Sequence, residues 1–230
     1  MVVRRLLHSG YPIRAVLGVA RRVAELGDQL DERAPVAPRY VTTPDLMAEV
    51  IGFHLNRGVL ASADRARFGV AGDLLAAADT VAVLEGVGDH ENLGALFRNA
   101  AGLGIGSVLL GPDCADPLYR RSIRVSMGTV LQVPFATLAG EVTHALDQVR
   151  AAGFLVAALT PHPDAMPLAQ AGLAGRRVAV LLGSEGPGLT PAALAAADLQ
   201  VRIPMASGVD SLNVATAAAI TFAAVTGALR

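Results

Sequence analysis

Apolar residues follow two rhythms along this chain. Val81-Ala82-Val83-Leu84, Phe154 to Leu159 and Val178-Ala179-Val180-Leu181-Leu182 are short apolar runs, the pattern of strands buried on both faces of a parallel sheet. A further short strand is predicted at Leu199 to Ile203. Between and after these runs the spacing changes. In NLGALFRNAAGLG, Leu93, Leu96, Phe97, Ala100 and Ala101 recur at helical spacing and form a buried stripe. The segment VATAAAITFAAVTGAL, beginning at Val214, is apolar nearly all round, which predicts a helix buried against another helix or a subunit. It carries three threonines and is shorter than the roughly 20 residues that a membrane span needs. Strands that alternate with helices place the chain in the α/β class.

The first 67 residues read as a separate, smaller α/β unit. The pattern predicts the tail of a helix at Val2 to Leu7, a strand at Ile13 to Leu17, a helix at Val19 to Leu26 and a short strand at Tyr40-Val41. A helix from Thr43 to Val50 follows, with Thr43 as its cap and Pro44 in the first helical position. Gly58-Val59-Leu60-Ala61 gives the last strand. The expected organisation is therefore a domain at 1–67, a linker at 68–79 and the main domain at 80–230. Because it starts on the tail of a helix, the first domain is expected to be incomplete at its beginning.

Against the apolar background three polar clusters stand out: Asn92 with Arg98, Gly183-Ser184-Glu185-Gly186, and Ser211-Leu212-Asn213. Each lies just beyond a predicted strand, where open α/β sheets place ligands. Asn92 stands at the start of its helix and fits an N-cap as well as a site. Arg98 is six residues on, roughly 9 Å along the axis, a gap that a guanidinium can span. Gly183, Gly186 and Gly188 give the second cluster a backbone that can approach a ligand closely, with Glu185 as its charge. It lacks the lysine and Ser/Thr of a P-loop, and its glycine spacing alone is weak evidence for a dinucleotide. Ser211 and Asn213 suit a helix cap as well as a ligand contact.

Composition narrows the classes. The single cysteine, Cys114, excludes an intramolecular disulfide, and no signal peptide or membrane span is visible, so a cytoplasmic protein without a membrane partner is expected. The five histidines show no metal-ligand spacing, so no metal is expected. His90 adjoins the first cluster and reads as a solvated loop histidine or a substrate contact. All 19 basic residues are arginine, a bias that codon usage explains more simply than selection for RNA contacts. Residues 1–67 carry 10 Arg against 7 Asp and Glu, a formal +3, while the remainder carries 9 against 13, a formal −4. The excess basic charge, a modest footprint for RNA, lies in the smaller unit.

In order and spacing the three clusters resemble the SpoU (TrmH) branch of the SPOUT RNA methyltransferases. The resemblance covers roughly residues 80 to 230 and rests on N-L-G-A-L-F-R-N-A-A-G-L-G, L-L-G-S-E-G-P-G-L and I-P-M-A-S-G-V-D-S-L-N-V-A. It implies a mostly parallel α/β sheet with a deep C-terminal trefoil knot, S-adenosylmethionine bound in that knot, and a homodimer sharing the active site. The implied reaction is methyl transfer to a ribose 2'-hydroxyl of RNA, ribosomal ahead of transfer RNA. The implied catalytic residues are Arg98, Asn92, Glu185, Ser211 and Asn213, with Arg98 as base or phosphate holder and Glu185 fixing the knot loops or Arg98. Thr160, Gly183, Ile203 and Leu212 are the implied cofactor contacts, Gly183 by leaving space for the ligand. Ser184 departs from the asparagine common in relatives. The first 67 residues, through GFHLNRGVLA, are similar to the ribosomal-protein-like RNA-binding domain that many of these enzymes carry. Two other readings stay open: a non-catalytic RNA-binding relative, and a nucleotide-binding α/β enzyme of another class using the Gly183 loop.

Overall fold

Sheet pairing, more than helix propensity, sets the first unit. The computed structural model describes residues 1–55, 57–65 and 69–228. It opens with α1 (Val2–Leu7) and β1 (Ile13–Val19), followed by α2 (Ala20–Ala24), α3 (Gly27–Arg33), β2 (Arg39–Thr42), α4 (Pro44–Ile51) and β3 (Val59–Ala63). The helix expected from Val19 to Leu26 is thus shorter and split. Val19 is drawn into β1 because it pairs with Thr42 of β2 and donates its N–H to Gly58 O at 2.9 Å. The chain then breaks at Leu26 and resumes as α3, so that Val23, Leu26 and Leu30 all enter one core. As predicted, Thr43 caps α4, its hydroxyl accepting the Leu46 N–H. The strand order is β2-β1-β3, with β1 parallel to β2 and antiparallel to β3. Among the described residues of this unit, Arg14, Arg21, Arg22, Arg33 and Arg39 are ion-paired, which thins the basic footprint read from composition.

Contacts divide the chain into Met1–Arg67 and Phe68–Arg230; residues 66–68, at the expected boundary, lie outside the described residues. The stretch expected as a linker contains a helix, α5 (Ala71–Ala77), whose Leu75 is buried in the core of the second unit. Its alanines blur the apolar stripe that would have announced it.

The second unit continues with β4 (Thr80–Leu84), α6 (His90–Gly102), β5 (Ser107–Leu110), α7 (Arg120–Val125), β6 (Phe135–Thr137), α8 (Val142–Ala151), β7 (Leu155–Leu159), β8 (Met166–Pro167), β9 (Val178–Leu182), α9 (Pro191–Ala196), β10 (Leu199–Arg202) and α10 (Val214–Thr226). The seven strands form one sheet in the order β6-β5-β4-β9-β7-β10-β8, every pairing parallel. Successive side chains alternate between faces. Ala82, Leu84, Val180 and Leu182 meet α6 and α10 on one side, while Val81, Val83, Ala179 and Leu181 meet α8 and α9 on the other. This double burial is why the runs contain no polar alternation. The α10 helix buries Ala218, Phe222 and Val225 but leaves Thr216 and Ile220 exposed, so it is not sunk on all sides as its composition suggests.

Candidate active site

Parallel strands deliver their carboxyl ends to one edge of the sheet, and the predicted residues other than Arg98 gather there. Thr160 follows β7, Gly183 follows β9 and Ile203 follows β10, three strands adjacent in the sheet. Together with Leu212 they line a cavity of about 430 Å³ whose wall also includes Glu185, Ser211 and Asn213. Leu159, Leu182, Met205 and Ala217 supply apolar surface. A second cavity of about 570 Å³ shares Thr160, Gly186, Ile203 and Met205 with the first.

One amide organises the polar side. The Asn213 Nδ2 group donates to Asn92 Oδ1 at 2.8 Å and to Glu185 Oε1 at 2.6 Å, which uses both of its hydrogens. Its Oδ1 accepts the N–H groups of Ala215 and Thr216 and so caps α10. Asn213 therefore caps the helix with its oxygen while its nitrogen builds the site. Asn92, by contrast, is not a cap: α6 begins earlier, and the Asp89 carboxylate accepts the N–H groups of Glu91 and Asn92 at 2.8 Å each. That leaves the Asn92 side chain free to meet Asn213.

Two expectations are corrected. Of the two roles expected for Glu185, the one toward Arg98 falls away, since Glu185 engages Asn213 of the third cluster. Arg98 is exposed, makes no hydrogen bond or ion pair among the described residues and does not line the cavity. Six residues at about 100° each put it roughly 120° around α6 from Asn92. The other correction concerns Gly183. A Cβ there would lie 2.3 Å from Gly188 C and 2.4 Å from Leu189 N, so the glycine makes room for the chain's own returning backbone and not for a ligand. The turn between them is closed by a bridge of Ser184 with Gly188 and by positive φ at Gly186 and Gly188, conformations that suit glycine.

Glu85, which sequence alone did not single out, anchors this turn from the sheet. It directly follows β4, is 6% exposed, and accepts the Thr190 N–H and hydroxyl at 2.9 Å each. The Thr190 hydroxyl in turn caps α9 by accepting the Ala193 N–H. The available signal was a carboxylate directly after a fully apolar strand. Of the remaining predicted groups, Ser211 is exposed on the cavity wall, and Thr160 accepts the His162 N–H through Oγ1 at 3.3 Å. Burial pushes the Cys114 thiol above its ordinary range, and its S–H donates to Leu84 O. Among the described residues no three His, Cys, Asp or Glu side chains cluster to hold a metal, and no helix is long and apolar enough to cross a membrane.

With this geometry established, comparison with known proteins is specific. Residues 79–223 match the model of the SpoU rRNA Methylase family. An uncharacterized tRNA/rRNA methyltransferase of Mycobacterium tuberculosis is 54% identical over 224 residues, covering 96% of this chain and 77% of that protein. The 23S rRNA (guanosine(2553)-2'-O)-methyltransferase of Bacillus subtilis is 31% identical over 148 residues, covering 64% of this chain and 57% of that protein. Among solved structures, an AdoMet-bound rRNA methyltransferase from Sinorhizobium meliloti shares the fold with a TM-score of 0.83 at 24% identity, over 100% of this chain and 85% of that one.

Proposed function

Because the chain belongs to the SpoU rRNA methylase family of RNA methyltransferases, we propose that it uses S-adenosylmethionine to methylate a ribose 2'-hydroxyl of RNA, as a homodimer. The observation that carries this reading is the coincidence of the Asn92–Asn213–Glu185 network with a cavity at the ends of β7, β9 and β10. At about 430 Å³ the cavity is of the size that small-molecule sites usually have. Its wall combines apolar side chains with main-chain groups of the Gly183 turn and one carboxylate, which suits an amphiphilic cation. Thr160, Gly183, Ile203 and Leu212 would hold it. When bound, S-adenosylmethionine supplies a methyl group on a sulfonium, already a good electrophile.

What remains for the protein is to place the ribose and relieve its hydroxyl of a proton. Arg98 is unencumbered for that work. An arginine is normally protonated, so as a base it needs a neighbouring RNA phosphate to share the proton; as an anchor it would hold that phosphate in a bidentate pair. Ser211 and the Nδ2 group of Asn92 orient the hydroxyl, and the Glu185–Asn213 bond fixes the Asn92 side chain through Asn92 Oδ1.

The homodimer is supported by the exposed Thr216 and Ile220, four residues apart on α10. Arg98 stands apart from its own cavity, as a site completed by a second copy requires. The trefoil knot is supported by the strand order, in which the late β9 enters between β4 and β7. The unit at 1–67 is read as the RNA-binding domain, and ribosomal RNA is preferred to transfer RNA on the strength of that appended domain. The test is incubation of the protein with radiolabelled S-adenosylmethionine and ribosomal RNA, followed by alkaline hydrolysis. A ribose methyl blocks the adjacent cleavage and leaves labelled dinucleotides. Label recovered in mononucleotides with a methylated base would overturn the ribose assignment.

A further inference from the structure

An aromatic pair lies beside the site and has no part in the cavity. Tyr119, the residue that precedes α7, is 54% exposed. Its ring packs on the His90 ring at 4.3 Å between centroids, tilted by 47°. His90 begins α6, two residues before Asn92. The pair is rigidly mounted. A Cβ on Gly94 would lie 2.8 Å from Ser122 O and 2.9 Å from the Val125 Cβ, so α6 and α7 touch through backbone there. Arg121 also bridges the two helices, donating to Glu91 Oε1 at 2.6 Å.

The surroundings are basic. Positions 90, 94 and 98 share one face of α6, so Arg98 lies on the same side of the helix as His90. Arg120 and Arg124 are exposed on α7, and the side chains of Arg98 and Arg124 make no ion pair or hydrogen bond among the described residues. Opposing charge comes from Asp89, occupied as the α6 cap, from Glu91, occupied by Arg121, and from Asp116, whose carboxylate accepts the Leu118 N–H in the turn before Tyr119. An exposed ring held rigidly among arginines matches the chemistry that binds unpaired nucleic acid: a face for a base to stack on and cations for the phosphates.

We propose that the Tyr119–His90 pair is a stacking platform for an unpaired RNA base next to the target nucleotide, with Arg124 holding the adjoining phosphate. This rests on the reading of the chain as an RNA methyltransferase and adds that the target lies in a single-stranded or splayed segment. Duplex RNA hides its base faces, so a platform selects against it.

The experiment titrates the 230-residue chain against a fluorescein-labelled oligoadenylate and against the same strand annealed to oligouridylate. Tyr119→Ala is expected to weaken single-strand binding about five- to a hundredfold, the range that one base–aromatic stack carries. Tyr119→Phe, which keeps the ring, is expected to stay near wild type, and duplex binding is expected to change little in either variant. Arg124→Ala is expected to lower the salt dependence by about one phosphate contact. Calorimetric titration with S-adenosylmethionine runs alongside. Intact cofactor binding with equal single-strand affinity in Tyr119→Ala and wild type overturns the platform and leaves the methyltransferase reading in place. Wild-type protein that binds neither oligonucleotide nor S-adenosylmethionine overturns both.

Discussion

The Glu85 carboxylate receives both donors of Thr190, its N–H and its hydroxyl, at 2.9 Å each, and so pins the far end of the Gly183 turn to the end of β4. Glu85→Ala is expected to cost about 1.5–3 kcal/mol, the worth of hydrogen bonds to a charged group, and to weaken S-adenosylmethionine binding as the turn loosens. Glu85→Gln is the milder change. Its amide oxygen still accepts the Thr190 N–H, and its nitrogen can donate to a hydroxyl that rotates. Thermal denaturation and calorimetric titration of both variants read the two effects separately.

Two glycines in that turn should respond differently to the same methyl group. At Gly183 a Cβ meets main chain at 2.3 Å and 2.4 Å, and main chain cannot step aside. Gly186 has φ +85° with nothing within 4 Å, so alanine there costs only the left-handed conformation, about 1–2 kcal/mol. Gly183→Ala is expected to lose about 3 kcal/mol, at the upper end for overpacking, and to lose cofactor binding with it. A smaller drop in melting temperature for Gly183→Ala than for Gly186→Ala would show that the close approach is not what fixes the turn.

Why some of this was legible in the sequence and some was not follows from range. β4 and β9 announce themselves because burial on both faces leaves them wholly apolar, and the α6 stripe is set by residues within two turns. The edge at which the polar clusters lie was legible because each cluster follows a strand. Which strands are neighbours was not: the cavity depends on the order β9-β7-β10, decided by contacts far apart in the chain. The Asn213–Asn92 bond spans 121 positions, and no local pattern encodes it. Local ambiguity accounts for other misses. Asp89 and Asn92 are both capping residues, and only the path of the chain decides that Asp89 reaches the free N–H groups. Val19 suits a helix start until β2 offers it a partner.

Asn213 performs two tasks that one substitution can separate. Asn213→Asp keeps an oxygen for the Ala215 and Thr216 N–H groups, so the α10 cap and the melting temperature should be retained. The lost amide, however, sets a carboxylate against Glu185, whose oxygen lies 2.6 Å from the present nitrogen. Like charges at that distance repel, and methyl transfer should fall steeply while the fold persists. Asn213→Ala should lose the cap as well, about 1 kcal/mol. Circular dichroism melts and a methyl-transfer assay on the two variants test this ordering.

Cys114 is a bystander by this structure. Burial raises its thiol above the usual range, which lowers the thiolate fraction at neutral pH, and the thiolate is the reactive form. Iodoacetamide at pH 7.5 should label it slowly in the folded protein and rapidly in guanidinium chloride. Cys114→Ser should retain methyl transfer, as measured with radiolabelled S-adenosylmethionine.

Arg98 is the residue at which the proposed chemistry and the proposed assembly can be tested together. It is exposed and lies outside the network that joins Asn92, Asn213 and Glu185. Arg98→Ala should therefore keep the fold and cofactor affinity while losing methyl transfer by about 10²- to 10⁴-fold, the range of general acid–base catalysis. Arg98→Lys keeps the charge but not the fork, so partial activity marks a phosphate holder and complete loss a specific guanidinium role. If each Arg98 serves the cavity of a second copy, mixing two inactive variants should restore activity. A chain carrying Arg98→Ala contributes a sound cavity, and one carrying Asn213→Asp contributes a sound arginine, so the mixed dimer holds one complete site. Activity from the mixture approaching a quarter of wild type per subunit is the expected result, since half of randomly paired dimers are mixed and each has one working site of two. A mixture as inactive as its parts, with mixed dimers demonstrated by differential tags, would place Arg98 at the cavity of its own chain.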